Sequence, residues 1–246
     1  MFPAELGEIV SLVLIALSAV TSFITASAGI GGGIVLIAIM ANVMPAHALI
    51  PVHGMVQIGS NAGRALIMLA HVDKRILLPF LLGSVVGAAL GGMVAVQLPS
   101  GWLQIALACF ILYSAWAPAI KAARKSTVVL TGLISSFLTM FVGATGSFVS
   151  AMVKTLKLGR MEHVATHSTC MVAQHTIKVI SFGLLGFAYG PYLGLIILMI
   201  ASGFIGTLLG KRLLLKMNDE LFHKVLSIIL TLLAMRLAYQ GITSFT

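Results

Sequence analysis

Apolar runs long enough to cross a membrane leave a chain few folds to choose from, and this chain repeats them along its whole length. They occupy residues 9–42, 46–70, 76–97, 102–120, 127–156, 163–188, 191–210 and 221–242. Each approaches or exceeds the ~20 residues that a helix needs to traverse the hydrocarbon. Short clusters of Lys, Arg, Gly and Pro separate them. Only 9% of the 246 residues are charged, 59% are hydrophobic and the mean hydropathy is +1.11. A soluble domain carries about 25% charged residues, so the fold expected is an all-α integral membrane protein with the lipid bilayer as its solvent. No soluble domain, long linker or low-complexity tail is evident. Met1 to Glu8 hold two acids and no base, unlike the positive start of a cleaved signal, so the first helix is expected to belong to the mature protein.

The net charge of +9 does not point to nucleic acid, because the bases sit in short connections between apolar runs. They cluster at Lys74 and Arg75, at Lys121, Arg124 and Lys125, at Lys154, Lys157 and Arg160, and at Lys211, Arg212 and Lys216. The connections near 43–46, 98–101 and 188–191 carry no Lys or Arg, so the positive-inside rule places all four clusters in the cytoplasm. Cys109 and Cys170 both fall in apolar runs, without metal-type spacing, and no disulfide framework is expected.

That orientation requires run 127–156 to enter and leave on one face. Gly143 and Gly146 interrupt it, so a pair of half-helices or a short hairpin fits better than one straight span. The first run is broken by Gly29-Ile30-Gly31-Gly32-Gly33 and reads the same way, returning to the outside. The halves are also related. A shift of 114 positions aligns Gly29 with Gly143, Gly32 with Gly146, His53 with His167, and Arg64 with Lys178. After a five-residue slip, Gly87 meets Gly206 and Gly91 meets Gly210. Two inverted-topology repeats with glycine-broken half-helices, residues 1–120 and 121–246, are therefore expected, forming one integrated unit. Secondary transporters are built this way, with their sites near the midplane between repeats.

The second long run of each half carries polar groups that a lipid-facing helix avoids. His53, Gln57, Ser60 and Arg64 fall within about 60° of one another at helical spacing, with Asn61 on the flank. His163, His167, Cys170, Gln174 and Lys178 form a similar stripe, flanked by His175. A charge at the bilayer centre costs at least ~2.5–3.5 kcal/mol, so such residues face the protein interior and mark a pathway. The blander alternative is that Arg64 and Lys178 snorkel or pair with carbonyls. The six acids, Glu5, Glu8, Asp73, Glu162, Asp219 and Glu220, all lie at termini or in expected loops. With no intramembrane carboxylate to neutralise them, Arg64 and Lys178 favour an anion as partner.

A half-helix beginning after Gly33 or Gly146 would turn free backbone N–H groups toward the centre, with Gly31, Gly32, Thr145 and Ser147 beside them. The four-residue spacing of Gly83, Gly87 and Gly91, and of Gly206 and Gly210, reads instead as close helix packing. His163 and His167 have the spacing of paired metal ligands, but residue 164 is valine, where a metalloprotease motif needs glutamate; neither metal nor cofactor is expected. His167 and His175 are candidates to carry a proton, and otherwise donate to cargo or backbone.

These residues resemble the TauE/SafE sulfite exporter family of bacterial and archaeal membrane proteins. The resemblance rests on Gly29-Ile30-Gly31-Gly32-Gly33 after an apolar opening helix, on Pro45 and the His53 to Arg64 helix, on Asp73-Lys74-Arg75, and on Gly83, Gly87 and Gly91. The second half echoes it more weakly, with Thr145 and Ser147 opposite Gly31 and Gly33. The resemblance implies a cell-membrane transporter of sulfite, thiosulfate, organosulfonates or other small organic anions. The anion follows from the residues; the sulfur follows from the resemblance alone.

The function expected is export of a small sulfur oxyanion or sulfonate by alternating access, without catalysis. Arg64 and Lys178 would bind the anion, and His53, Gln57, Asn61, His167, Gln174 and His175 would line its path. An anion channel, a carboxylate carrier and a membrane enzyme using the histidines are the rivals, and assembly as a homo-oligomer is compatible with all of them.

Overall fold

In a bilayer the backbone must satisfy its own polar groups, and the chain does so with helices. The computed structural model describes residues 2–28, 31–95, 98–116, 127–213 and 219–245, and among these there is no strand. The helices are α1 (Gly7–Ala28), α2 (Gly32–Val43), α3 (Ala46–Ile67), α4 (Leu77–Ala95), α5 (Ser100–Trp116), α6 (Thr127–Val142), α7 (Gly146–Lys154), α8 (Arg160–Leu184), α9 (Leu193–Leu213) and α10 (Asp219–Thr243). Single 3₁₀ turns lie at Leu69–His71, Lys74–Ile76 and Gly190–Tyr192. The divide at 120/121, the Lys121, Arg124 and Lys125 cluster, Lys216, and Gly29 and Ile30 lie outside the described residues.

The expected breaks are present. The first run divides into α1 and α2, and run 127–156 into α6 and α7. One detail differs from the half-helix expectation. At 22 residues and ~1.5 Å each, α1 is about 33 Å long, enough to cross the hydrocarbon by itself, so within the first run α2 alone is of half length. The chain turns at these breaks because Gly31 and Gly143 take φ of 105° and 73°, which a side chain disfavours.

Helices packed on helices in lipid need small residues at their seams, since apolar burial gives no preference for protein over lipid tails. α4 lies along α6, and a Cβ at Gly83 or Gly87 would strike the carbonyl of Val129 or Leu133. α9 lies along α1 in the same manner, with Gly206 over Ala19 and Gly210 over Phe23. α5 pairs with α10, and α3 crosses α8. Gly83, Gly87, Gly91, Gly206 and Gly210 are thus seam residues, as expected. Away from these seams α4, α9 and α10 expose Leu82, Val86, Leu90, Ile205, Leu209, Leu232 and Met235, an apolar surface suited to lipid. Three stretches, Gly7–Ser27, Lys74–Ala95 and Gly190–Gly210, are long and apolar enough to cross a membrane. α3 and α8 fall short of that apolarity because they carry the polar stripes, and their crossing forms the centre of the bundle.

The two ends of the bundle differ in charge. Ile76, Phe80, Met152, Val153 and Met171 cluster at one end, and the exposed Lys74, Arg75, Lys154 and Lys157 lie beside them. There the Asp73 carboxylate accepts from Arg75 at 2.7 Å, and this hydrogen bond holds its pKa below the usual value. At the other end Glu5 accepts from the Tyr192 hydroxyl at 3.0 Å. The same end holds a polar hollow of about 550 Å³ lined by Glu5, Asn42, Gln104, Gln240 and Ser244, with no Lys or Arg.

Candidate functional site

Helical spacing places the polar stripes of α3 and α8 against each other at their crossing. His53, Gln57, Ser60, Asn61 and Arg64 are buried on α3, and His167, Cys170, Gln174, His175 and Lys178 on α8. Burial excludes surface snorkelling and leaves the carbonyl alternative, which Lys178 meets at Gly143. Arg64 is 3% exposed and Lys178 is 0% exposed, so neither side chain reaches a surface of the protein.

Each cation is held by neutral oxygens. The Arg64 guanidinium donates to Ser60 Oγ at 3.2 Å and to Asn61 Oδ1 at 2.8 Å. Asn61 in turn donates to the Gln57 carbonyl and to Gln57 Oε1 at 2.8 and 3.2 Å, and Ser60 Oγ lies 3.0 Å from Ser22 Oγ on α1. This chain of amides and hydroxyls leaves guanidinium N–H groups to spare, since arginine has five. The Lys178 ammonium donates to the Gly143 carbonyl at 2.9 Å, at the α6–α7 break. That carbonyl lies past the last turn of α6, where helix C-termini attract cations. Among the described residues the one salt bridge is Asp73 to Arg75, so neither buried cation has a carboxylate partner.

The histidines fasten the breaks. His53 donates from Nε2 to the Gly33 carbonyl at 3.1 Å, and His167 from Nε2 to the Gly146 carbonyl at 3.1 Å. A carbonyl only accepts, so both rings carry their proton on Nε2, which leaves Nδ1 of the neutral ring as an acceptor. His175 packs its ring edge-on to His53 with centroids 6.1 Å apart, and its buried Nδ1 has no hydrogen-bond partner. His163 sits nearer the basic end, paired with Ser150 Oγ at 3.1 Å. It and His167 therefore turn their Nε2 atoms to different partners.

Around the second break, Gln174 donates from Nε2 to Ser135 Oγ at 2.8 Å and to Ser136 Oγ at 3.1 Å. Thr145 Oγ1 lies within donating distance of the Ser135 carbonyl and of Gln174 Oε1, at 3.1 and 3.2 Å. Gly31 precedes the first turn of α2 and Thr145 that of α7, and neither helix start has a side-chain cap. Their first N–H groups thus have no intrahelical acceptor. Gly33 faces the Gln57 amide and Gly146 faces the His167 ring, so both starts border the polar crossing. Gly32 is turned away. A Cβ there would strike the Thr21 carbonyl and Thr25 Oγ1 on α1, which makes it a packing residue. Ser147 is half-buried and its hydroxyl makes no hydrogen bond among the described residues.

Sequence reasoning thus found the groups that meet at the crossing but missed Ser22, Ser135 and Ser136, and the carbonyls of Gly33, Gly143 and Gly146. A serine on an apolar helix gives no signal of its own, because it can bond to its own helix one turn back.

Two buried cations and two uncapped helix starts thus border one polar crossing inside an apolar shell. The family model described as Sulfite exporter TauE/SafE matches residues 14–237, and the chain belongs to that family. Comparison with curated proteins and with solved structures finds no match.

Proposed function

We propose that this member of the TauE/SafE family exports a small sulfur oxyanion or organosulfonate, such as sulfite or thiosulfate, across the cell membrane by alternating access. The observation that carries the reading is the full burial of Arg64 and Lys178 with no carboxylate against either among the described residues. An uncompensated buried charge is costly, and a transported anion relieves that cost while it is bound. The uncapped starts of α2 and α7 add backbone N–H groups of the kind that bind anions at helix N-termini.

The element order supports an inverted repeat as the machinery. α1 to α5 and α6 to α10 follow the same plan: a helix broken by glycine, a short return, a long polar helix, a 3₁₀ turn with a glycine-seamed helix, and a closing helix. Exchanging the two halves turns the α4–α6 seam into the α9–α1 seam and maps the α3–α8 and α5–α10 pairs onto themselves. α1 begins at the Glu5 end, whereas α7 ends and α8 begins beside the basic end, as opposed topology requires. Rocking of the halves about the breaks would expose the crossing to each side in turn.

The test is thermal stabilisation of the purified protein by sulfite, thiosulfate, taurine, sulfoacetate and small carboxylates, against chloride. A ligand at 100 times its Kd stabilises the folded state by about 2.7 kcal/mol. The expected result is a shift with sulfur anions that is lost in Arg64→Ala. Stabilisation by carboxylates alone would overturn the sulfur assignment and leave an anion carrier.

A further inference from the structure

The two buried cations stand at different levels of the crossing. The Lys178 side chain lies against α3 at Gly54, where an added Cβ would be 2.8 Å from its Cε and 3.6 Å from its Nζ. The Arg64 guanidinium turns back along the same helix to Ser60 and Asn61. Gly54 and Ser60 are six residues apart, a rise of about 9 Å along α3, and Gln57 occupies the interval. The α3 positions against which the two cations lie are thus further apart than one charge-assisted hydrogen bond of ~2.7–2.9 Å spans.

Each level also pairs a cation of one half with a histidine of the other. Lys178 packs on Gly54, the neighbour of His53, and Arg64 lies within electrostatic reach of His167. His175 packs against His53, with ring centroids 6.1 Å apart, and its Nδ1 is unbonded. Such duplication is unexplained by a single central seat, because one cation would then have no role and would still cost its burial.

We infer that the transport site consists of two anion stations in series: one at Lys178 beside His53 and His175, toward the Glu5 end, and one at Arg64 beside His167, toward the basic end. The inference rests on the anion-carrier reading. An anion entering from the cytoplasm, taken as the basic end, meets Arg64 first and leaves past Lys178; each side of the membrane loads its own station.

Right-side-out and inside-out membrane vesicles carrying the full chain test this, with sulfite as the probe. Lys178→Gln is expected to raise the half-saturating sulfite concentration about tenfold or more when sulfite is presented at the outer face, the loss of one charge-assisted hydrogen bond, and to leave the inner-face value near wild type. Arg64→Gln is expected to do the reverse. Should either variant fail to reach the membrane, the charge-retaining Lys178→Arg and Arg64→Lys give the same face-specific pattern with smaller shifts. Equal shifts at both faces from either substitution would overturn the two stations in favour of one shared seat. Wild-type vesicles that move no sulfite from either face would overturn the sulfite-carrier reading, and the stations with it.

Discussion

Lys178 donates its ammonium to a backbone carbonyl in the middle of the bundle, and this contact separates what the residue does for folding from what it does for transport. Removing the ammonium leaves the Gly143 carbonyl without its donor, at a cost of about 1–3 kcal/mol. Replacing buried ion pairs or triads by apolar side chains of similar volume is neutral or stabilising by about 1–4 kcal/mol, and relief of the buried Lys178 charge acts in the same sense. The two nearly cancel. Lys178→Met is therefore expected to keep its Tm within about 4 °C of wild type, since ~1 kcal/mol shifts a domain of this size by 2–4 °C, while anion flux into liposomes falls at least about tenfold. A flux at the wild-type level in a folded Lys178→Met protein would remove Lys178 from the pathway. That this residue and Arg64 face inward was legible in the sequence, because helical spacing put them on the stripes of His53 and His167. Their partners were not legible. The Gly143 carbonyl belongs to no side-chain pattern, and Ser135 and Ser136 join Gln174 only because the α6–α7 break brings α6 against α8.

The elements obey a division of labour among glycines that the sequence showed in part. Regular four-residue spacing identified Gly87 and Gly206 as seam residues, since such spacing keeps one helix face free of side chains over several turns. It did not reveal Gly32 as a packing residue, because Gly32 lies within a glycine run whose members face different ways once α2 begins. Nor did it separate a full span from a half-length return, since α1 and α2 are continuous in apolarity and only the break divides them. At Gly87 and at Gly206 a Cβ would be driven into a backbone carbonyl, of Leu133 and of Ala19 respectively. A carbonyl of a packed helix cannot swing aside as a side-chain tip can. Gly87→Ala and Gly206→Ala are each expected to cost about 1–3 kcal/mol, the range for overpacking, read as a lower melting temperature in detergent. Gly190→Ala, with no atom within 4 Å of the added Cβ, serves as the neutral control. Equal melting temperatures for all three would show that the α4–α6 and α1–α9 seams are looser than the helix contacts described here.

For the molecule as a whole, orientation decides what the site can do, because a carrier whose ends were assigned to the wrong faces would import where it is proposed to export. The assignment rests on charge. The end bearing Lys74, Arg75, Lys154 and Lys157 is taken as cytoplasmic by the positive-inside rule, and the end with Glu5, Gln104, Gln240 and Ser244 as external. Both ends offer exposed positions for a chemical test, Lys154 at the first and Ser100 and Ser244 at the second. The background requires both native thiols replaced, Cys109 being exposed and Cys170 buried. In intact cells a membrane-impermeant maleimide is expected to label Ser244→Cys and Ser100→Cys, and to reach Lys154→Cys only after the membrane is opened. Labelling of Lys154→Cys alone in intact cells would invert the molecule, placing the Arg64 station at the external face and the Lys178 station at the cytoplasmic one. Labelling of all three would mean that the ends do not lie on opposite faces, and the opposed topology of the halves would fall with them. The inverted repeat makes this the most demanding test of the proposal: α1 and α6 must start on opposite faces for the two stations to face opposite sides of the membrane, whichever side is outside.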